Sequence, residues 1–312
     1  RLALQPAKRL HGHTTQETEL QPLLSVLSYS AKVTIGRSDY IQSVPSEFFA
    51  IDRKSRARIP FEDIGLRDPD ARICDFEDVV IPLSAEEAVF EASRCIHCPD
   101  PAPCVEACPT HNDIPSAMWL IEQGQFLEAA SLYRQTSSLP EICGRVCPHE
   151  QLCQGSCVRN KHHEPVLTGA LESFATDYAR CIEGVTVPVG ESTGSKVAIV
   201  GAGPAGLACA EQLVGKGHQV TIFETKNTPG GLLLYGIPNF KLPKDVVLAR
   251  WNDLALAGVE FVGDTYIGKD KTIDELFEDG YEAAFVGVGT GIDAPMEVPG
   301  EDLPGVYQAT EF

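Results

Sequence analysis

The run Lys196-Val-Ala-Ile-Val-Gly201-Ala-Gly203-Pro-Ala-Gly206-Leu207 sets an apolar, β-branched strand, a glycine turn and a helix start in immediate succession. Each glycine answers a separate steric demand of a dinucleotide-binding βαβ unit. Gly201 permits the tight turn, Gly203 lets the backbone approach a pyrophosphate, and Gly206 lets the helix pack closely on the strand. The helix start then offers free N–H groups and the positive end of its dipole to phosphate. Three spaced glycines alone are a weak signal. Here a second strand, residues 220–223, ends at Glu224, 23 residues after Gly201, where a carboxylate can accept hydrogen bonds from adenosine ribose hydroxyls.

FAD and NAD share this fingerprint. The next segment, Pro229-Gly230-Gly231-Leu232, and the later Gly287-Val-Gly289-Thr290-Gly291 offer glycines along which an extended dinucleotide can lie, although a glycine pair is also a plain turn signal. From Lys196 onward, apolar β-branched runs alternate with helical ones, with a further strand over residues 284–288, so residues 196–312 read as α/β with a parallel sheet.

Upstream, the Gly-, Pro-, Ser- and Thr-rich stretch Glu183 to Ser195 is a linker. Before it the pattern is helical. Ser84 with Glu87 forms a capping box for a helix that delivers the chain to Cys95. Asp113 and Pro115 open a second helix, Gly124 interrupts, and Phe126 to Tyr133 form a third. A further helix follows Pro165 and carries Leu171, Phe174, Ala175 and Tyr178 on one face. Residues 1–75 have no sustained period and read as an extended arm wrapping a neighbouring domain or subunit.

The chain has 11 cysteines, and eight of them fall between positions 95 and 157. They read Cys95-x2-Cys98-x5-Cys104-x3-Cys108-Pro109, then Cys143-x3-Cys147-Pro148 and Cys153-x3-Cys157. A disulfide framework belongs to small secreted domains, and tetrahedral zinc also uses C-x2-C pairs. Paired C-x3-C units with Cys-Pro steps fit iron–sulfur ligation better, and eight thiols suggest two clusters, which spacing alone does not partition. His97 and His111 lie beside these cysteines and read as neighbours of ligands. His149, His162 and His163 read as surface residues, and the lone Cys74, Cys181 and Cys209 as small buried hydrophobes. No residue is required as a catalytic acid or base.

With 312 residues, 43% hydrophobic content and no apolar run near the roughly 20 residues that span a bilayer, the expectation is two or so soluble domains and no membrane insertion. The net charge of -19 is spread along the chain and opposes binding to a phosphate backbone, so nucleic acid is not an expected partner. No secretory signal opens the sequence, and the expected location is the cytoplasm.

Several phrases together resemble a known family. They are Ala107-Cys108-Pro109-Thr110, Leu139-Pro-Glu-Ile-Cys143-Gly-Arg-Val-Cys147-Pro148, Gly201 to Leu207, and Gly230-Gly-Leu-Leu-Leu-Tyr-Gly-Ile-Pro238. From about Ser84 onward the chain is similar to the small (beta) subunit of bacterial glutamate synthase, the N-terminal part of dihydropyrimidine dehydrogenase, and the large subunit of electron-bifurcating NADH-dependent ferredoxin:NADP transhydrogenase. The resemblance implies a helical domain with two [4Fe-4S] clusters over residues 76–183, followed by a Rossmann-type FAD-binding domain that is incomplete at its C-terminus. It implies one cluster on Cys95, Cys98, Cys104 and Cys157, and another on Cys108, Cys147, Cys153 and the side chain of Glu172. Cys143 is left out of both sets despite its spacing. For FAD it implies Gly201, Gly203, Ala205, Gly206, Glu224, Gly231, Leu232, Lys241 and Ile267, with Gly289 and Thr290 on the flavin side.

By the same resemblance, electrons pass between NAD(P)H, FAD and the two clusters, to or from a partner redox subunit of a hetero-oligomeric complex. Family members carry a second nucleotide-binding domain after the strand at 284–290, whereas this sequence stops at Phe312. The expectation is a fragment of a longer protein, with the hydride-donor site on the remainder or on a partner. The rival expectation is a non-catalytic conduit or scaffold within a larger oxidoreductase.

Overall fold

The computed structural model describes residues 52–309. Most of the expected arm therefore lies outside the described residues. The part within them, residues 52–75, is irregular chain apart from two short helices and an antiparallel bridge between Leu66 and Val80. The helices are the single turns α1 (Arg53–Arg56) and α2 (Pro69–Arg72), N-capped by Asp52 and Asp68. Arg56 is buried and pairs with Glu122, 66 residues away, an anchor that leaves no periodic mark in the sequence.

A helical layer follows. Its elements are α3 (Ala85–Ser93), α4 (Pro103–Glu106), α5 (Ile114–Glu122), α6 (Phe126–Arg134), α7 (Pro140–Val146) and α8 (Thr168–Ile182), with single 3-10 turns at His149–Gln151 and Val158–Lys161. The capping box expected at Ser84 and Glu87 is present, and Asp113 caps α5 by accepting from the Ser116 amide. Ala88, Ala92, Ala117, Met118, Ile121, Ala129, Leu171 and Ala175 fill the core between these helices. Phe126 meets Phe174 and Tyr178 edge-on at 5.0 and 5.1 Å, closing that core with favourable aromatic geometry.

The second layer is a four-stranded parallel sheet in the order β3-β2-β1-β4, from β1 (Lys196–Val200), β2 (Gln219–Phe223), β3 (Glu260–Val262) and β4 (Ala283–Val286). Helices α9 (Pro204–Gly215), α10 (Leu232–Tyr235), α11 (Lys244–Leu256) and α12 (Ile273–Glu278) complete it. Placing β1 between β2 and β4 creates the reversal of strand order at whose carboxyl edge such folds bind nucleotides. Ile199, Leu207 and Ile222 have no exposed surface, and each contributes about 1.5–3 kcal/mol by leaving water.

The last strand ends at Val286 instead of continuing to 288. Strand β3, too short for a period, and helices α4, α7, α10, α11 and α12 are not among the elements expected from the sequence. The sequence reading also misjudged the lone cysteines: Cys74 and Cys181 are exposed and Cys209 is half-buried. One packing detail sets the position of everything that follows. Leu139 and Ile142, at the start of α7, belong to the same buried cluster as Ile199, Leu207, Val220 and Leu254 of the sheet layer.

Candidate functional site

Cys95 follows the last turn of α3, Cys104 sits in the first turn of α4 behind Pro103, and Cys157 leads into the second 3-10 turn. Together with Cys98 these thiols line one small cavity, shared with Met118 and Val166. Burial pushes the Cys95 and Cys104 thiols up to about 12, and the neighbouring Cys157 and Cys98 add to the rise. Four crowded thiols cannot all ionise without a cation between them, so a metal bound here would displace protons.

The second group forms where α7 and α8 cross. Burial raises the Cys147 and Cys153 thiols, Cys153 to about 11, and the charges of Cys108 and Glu172 raise both further. Thr168 lies 2.9 Å from the Cys153 sulfur, and Thr110 lies 3.3 Å from that of Cys108. Glu172 is buried on α8. Burial pushes its carboxyl up to about 8, with the charge of Glu141 adding, while Asn112 donates to Oε1 at 3.4 Å and pulls the other way. Cys143 stands beside this group as well: after burial, Glu172, Cys147 and Cys108 are what raise its thiol, to about 12.

Among the described residues no three Cys, His, Asp or Glu side chains converge on one point closely enough for a single metal ion. The thiols of the first group stand around a space instead, which is what a cubane with an iron at each of four corners requires. The histidines turn elsewhere. His97 meets the Pro115 carbonyl at 3.2 Å and Glu122 at 3.4 Å, and His111 meets the Val105 carbonyl at 3.2 Å. His162 and His163 are exposed as expected. His149 is buried, contrary to the sequence reading. Its ring lies where a side chain on Gly169 would otherwise be, 2.3–2.6 Å from the place a Cβ would occupy, so a glycine in α8 makes room for it.

On the sheet layer, the Glu224 carboxylate accepts from the Ala202 amide at 2.7 Å, tying the end of β2 to the glycine turn. Burial pushes the Glu224 carboxyl up, but that bond, the Thr225 hydroxyl and the Lys226 amide outweigh it and hold the group below the usual range. Gly230 donates to the Ala202 carbonyl at 2.9 Å, and a Cβ on Gly231 would come within 2.7 Å of the Gly203 Cα. The two glycine segments therefore pack on each other. At Gly203 a Cβ would meet nothing within 4 Å, leaving a cradle open above the turn. Ala205 and Leu232 are exposed beside it, and Lys241 is exposed after α10. Ile267 is half-buried and packs against the cluster of Val200 and Phe223. Gly289 and Thr290 are exposed just beyond Gly287, whose carbonyl abuts Gly201.

Sequence reading missed the buried charges that frame these groups. Arg56 pairs with Glu122 and Arg94 with Glu91, both behind the first cavity, and Arg159 lines it. Arg134 donates to Glu141 at 2.9 Å, and Arg250 of α11 approaches the same Glu141 at 3.9 Å. Arg56 and Glu122 lie 66 residues apart in the chain, and such a pair carries no local signature.

Fold and donor groups together define a 4Fe-4S domain followed by a Rossmann-like nucleotide-binding domain. Comparison with known proteins agrees: residues 72–183 match the family described as dihydropyrimidine dehydrogenase domain II, 4Fe-4S cluster, and residues 199–237 match the NAD(P)-binding Rossmann-like domain. The chain is 41% identical over 259 residues to the glutamate synthase [NADPH] small chain of Halomonas elongata, covering 81% of this chain and 54% of that protein. It is 41% identical over 247 residues to the Escherichia coli small chain, covering 77% and 51%. Against the NADP(+)-dependent formate dehydrogenase subunit beta of Moorella thermoacetica it is 37% identical over 233 residues, covering 66% and 32%. The chain is thus a homologue of the glutamate synthase small chains and of oxidoreductases related to them. It spans about half the length of those small chains. Among the described residues no helix is long and apolar enough to cross a membrane.

Proposed function

We propose that this chain carries two [4Fe-4S] clusters and one FAD, and passes electrons between NAD(P)H and a partner redox subunit in the cytoplasm. The observation that carries the reading is the placement of α7. It brings Cys143 and Cys147 to the second thiol group while Leu139, Ile142 and Val146 pack on the core of the nucleotide-binding layer. Such a helix fixes the distance between the two sites.

In this reading Cys95, Cys98, Cys104 and Cys157 hold one cluster, and Cys108, Cys147, Cys153 and Glu172 the other. An oxygen ligand in place of a thiolate changes the charge of a cluster and so its potential. Gly201, Gly203, Ala205 and Gly206 take the pyrophosphate, Glu224 the ribose, and Gly231, Leu232, Lys241 and Ile267 the rest of the FAD, with Gly289 and Thr290 toward the flavin. Bound there, flavin exchanges two electrons with a nicotinamide and one at a time with clusters. The chain's own residues hold, orient and exclude water; none is assigned a proton-transfer step. Two relatives named for multi-subunit enzymes, glutamate synthase and formate dehydrogenase, support a hetero-oligomeric setting.

The test is analysis of anaerobically purified protein. About eight irons, matching sulfide and one FAD are expected. About four irons would remove one cluster, and zinc without sulfide would overturn the reading. If the loaded protein shows no NAD(P)H-dependent dye reduction even within its full-length complex, the chain is a conduit and not part of an enzyme.

A further inference from the structure

Three buried guanidiniums stand behind and beside the first cavity: Arg56, Arg94 and Arg159, at 4%, 0% and 5% exposure. Two of them have a carboxylate. Arg56 pairs with Glu122 and also donates to the Cys95 carbonyl at 3.1 Å, and Arg94 pairs with Glu91. Arg159 is held differently. Its Nη1 donates to the carbonyls of Arg56 at 2.8 Å and Arg94 at 3.2 Å, its Nη2 to that of Ile59 at 3.0 Å, and its Nε to that of Glu164 at 3.4 Å. Each of these acceptors is a neutral backbone oxygen. Among the described residues, three cations against two carboxylates leave one positive charge over.

Keeping a charge out of water without a counter-ion costs several kcal/mol. The cost is explicable if an anion takes its place beside the charge. The Arg159 side chain lines the same cavity as Cys95, Cys98, Cys104 and Cys157, and a cluster held by four thiolates is net negative in either redox state. We propose that Arg159 is the counter-charge of the cluster on these four cysteines and raises its reduction potential, an inference that rests on the function proposed above. Reduction adds an electron to a centre that is already negative, so a fixed cation at its edge favours the reduced state. Arg159 acts through its charge and not as a ligand. Because residues 56 and 59 supply two of the carbonyls that hold it, the segment around α1 aims that charge.

The experiment is a redox titration of the full-length chain, followed by electron paramagnetic resonance, with iron content measured in parallel. Arg159→Gln removes the charge and Arg159→Lys keeps it. Arg159→Gln is expected to shift one cluster at least tenfold toward the oxidised form, about 59 mV for one electron, with the other cluster unmoved and Arg159→Lys close to the parent chain. Failure of Arg159→Gln alone to load that cluster, with Arg159→Lys loaded normally, has the same meaning. The proposal is overturned if both variants keep the parent potential, if both shift alike, or if both lose the cluster alike, since shape and not charge would then be at issue. A parent chain without a cluster signal would remove the proposed function first, and this inference with it.

Discussion

Gly201 and Gly203 are two positions apart and are glycine for different reasons. Gly201 has a φ of 103°, and a Cβ there would lie 2.4 Å from the Gly287 carbonyl oxygen. The fold itself forbids a side chain at that point. Gly203 faces open space, so the fold itself leaves room for a side chain there. Gly201→Ala is expected to cost about 1–3 kcal/mol of stability, measured by denaturant unfolding. Gly203→Val is expected to leave unfolding of the flavin-free chain unchanged and to weaken FAD binding by about tenfold or more, some 1.4 kcal/mol, read by flavin fluorescence. Unchanged FAD affinity in Gly203→Val would mean that the cradle is not a nucleotide site. Single residues were legible in the sequence where chemistry allows few alternatives: thiols for clusters, glycines for a turn beside phosphate. Glu172 was not, because nothing local distinguishes a buried helical carboxylate from a solvated one. Arg159 was invisible for the same reason, its partners lying up to 103 residues away.

At the scale of elements, the crossing of α7 and α8 is set by glycine. A Cβ on Gly144 would lie 2.5 Å from Ser173 Oγ, 2.6 Å from the Ser173 amide nitrogen and 2.9 Å from the Gly169 carbonyl. Two of those neighbours are backbone and cannot swing aside, so one extra methyl must push the helices apart. Because Cys147 ends α7 and Glu172 lies on α8, separation opens the second donor group and spares the first. Gly144→Ala is expected to lose about 1–3 kcal/mol of stability and about half its iron, with the first cluster still seen by spectroscopy. Full iron content in a folded Gly144→Ala chain would show that the crossing does not govern cluster assembly. Helices with capping signals and a sustained apolar face, such as α3 and α5, were readable from the sequence. Helix α7 was not: at seven residues it is too short for a period, and its burial on two sides removes the polar face that would have marked it.

Over the whole molecule, a buried charge network ties the two layers together, running from Arg134 through Glu141 to Arg250, which also pairs with Glu211 and meets Asp253 at 3.5 Å. Burial raises the Asp253 carboxyl from 3.8 to about 6, with Arg250 opposing and Glu141 adding. The folded chain thus holds that proton more tightly than the unfolded one. Its contribution to stability is complete below about 3.8 and is lost as pH rises through about 6. Asp253→Asn is expected to flatten the pH dependence of unfolding across that window by about 1–3 kcal/mol relative to the parent chain. Parallel curves for the two proteins would place the proton elsewhere. The order of domains was legible in the sequence, since the cysteine cluster, the Gly- and Pro-rich stretch and the glycine turn follow one another. Their union was not, since a shared core depends on apolar residues that look alike whichever layer they enter.

That shared core limits how such a protein can be taken apart. The stretch between Ile182 and Lys196 looks like a natural place to recombine genes or to split an expression clone. A cut there would strip Leu139 and Ile142 of their neighbours and leave the sheet layer with a vacancy of matching shape. A donor nucleotide-binding module grafted onto this cluster-bearing half would succeed only if its own surface already carried a seat for α7. The unit to be kept whole in any such exchange is therefore the pair of layers.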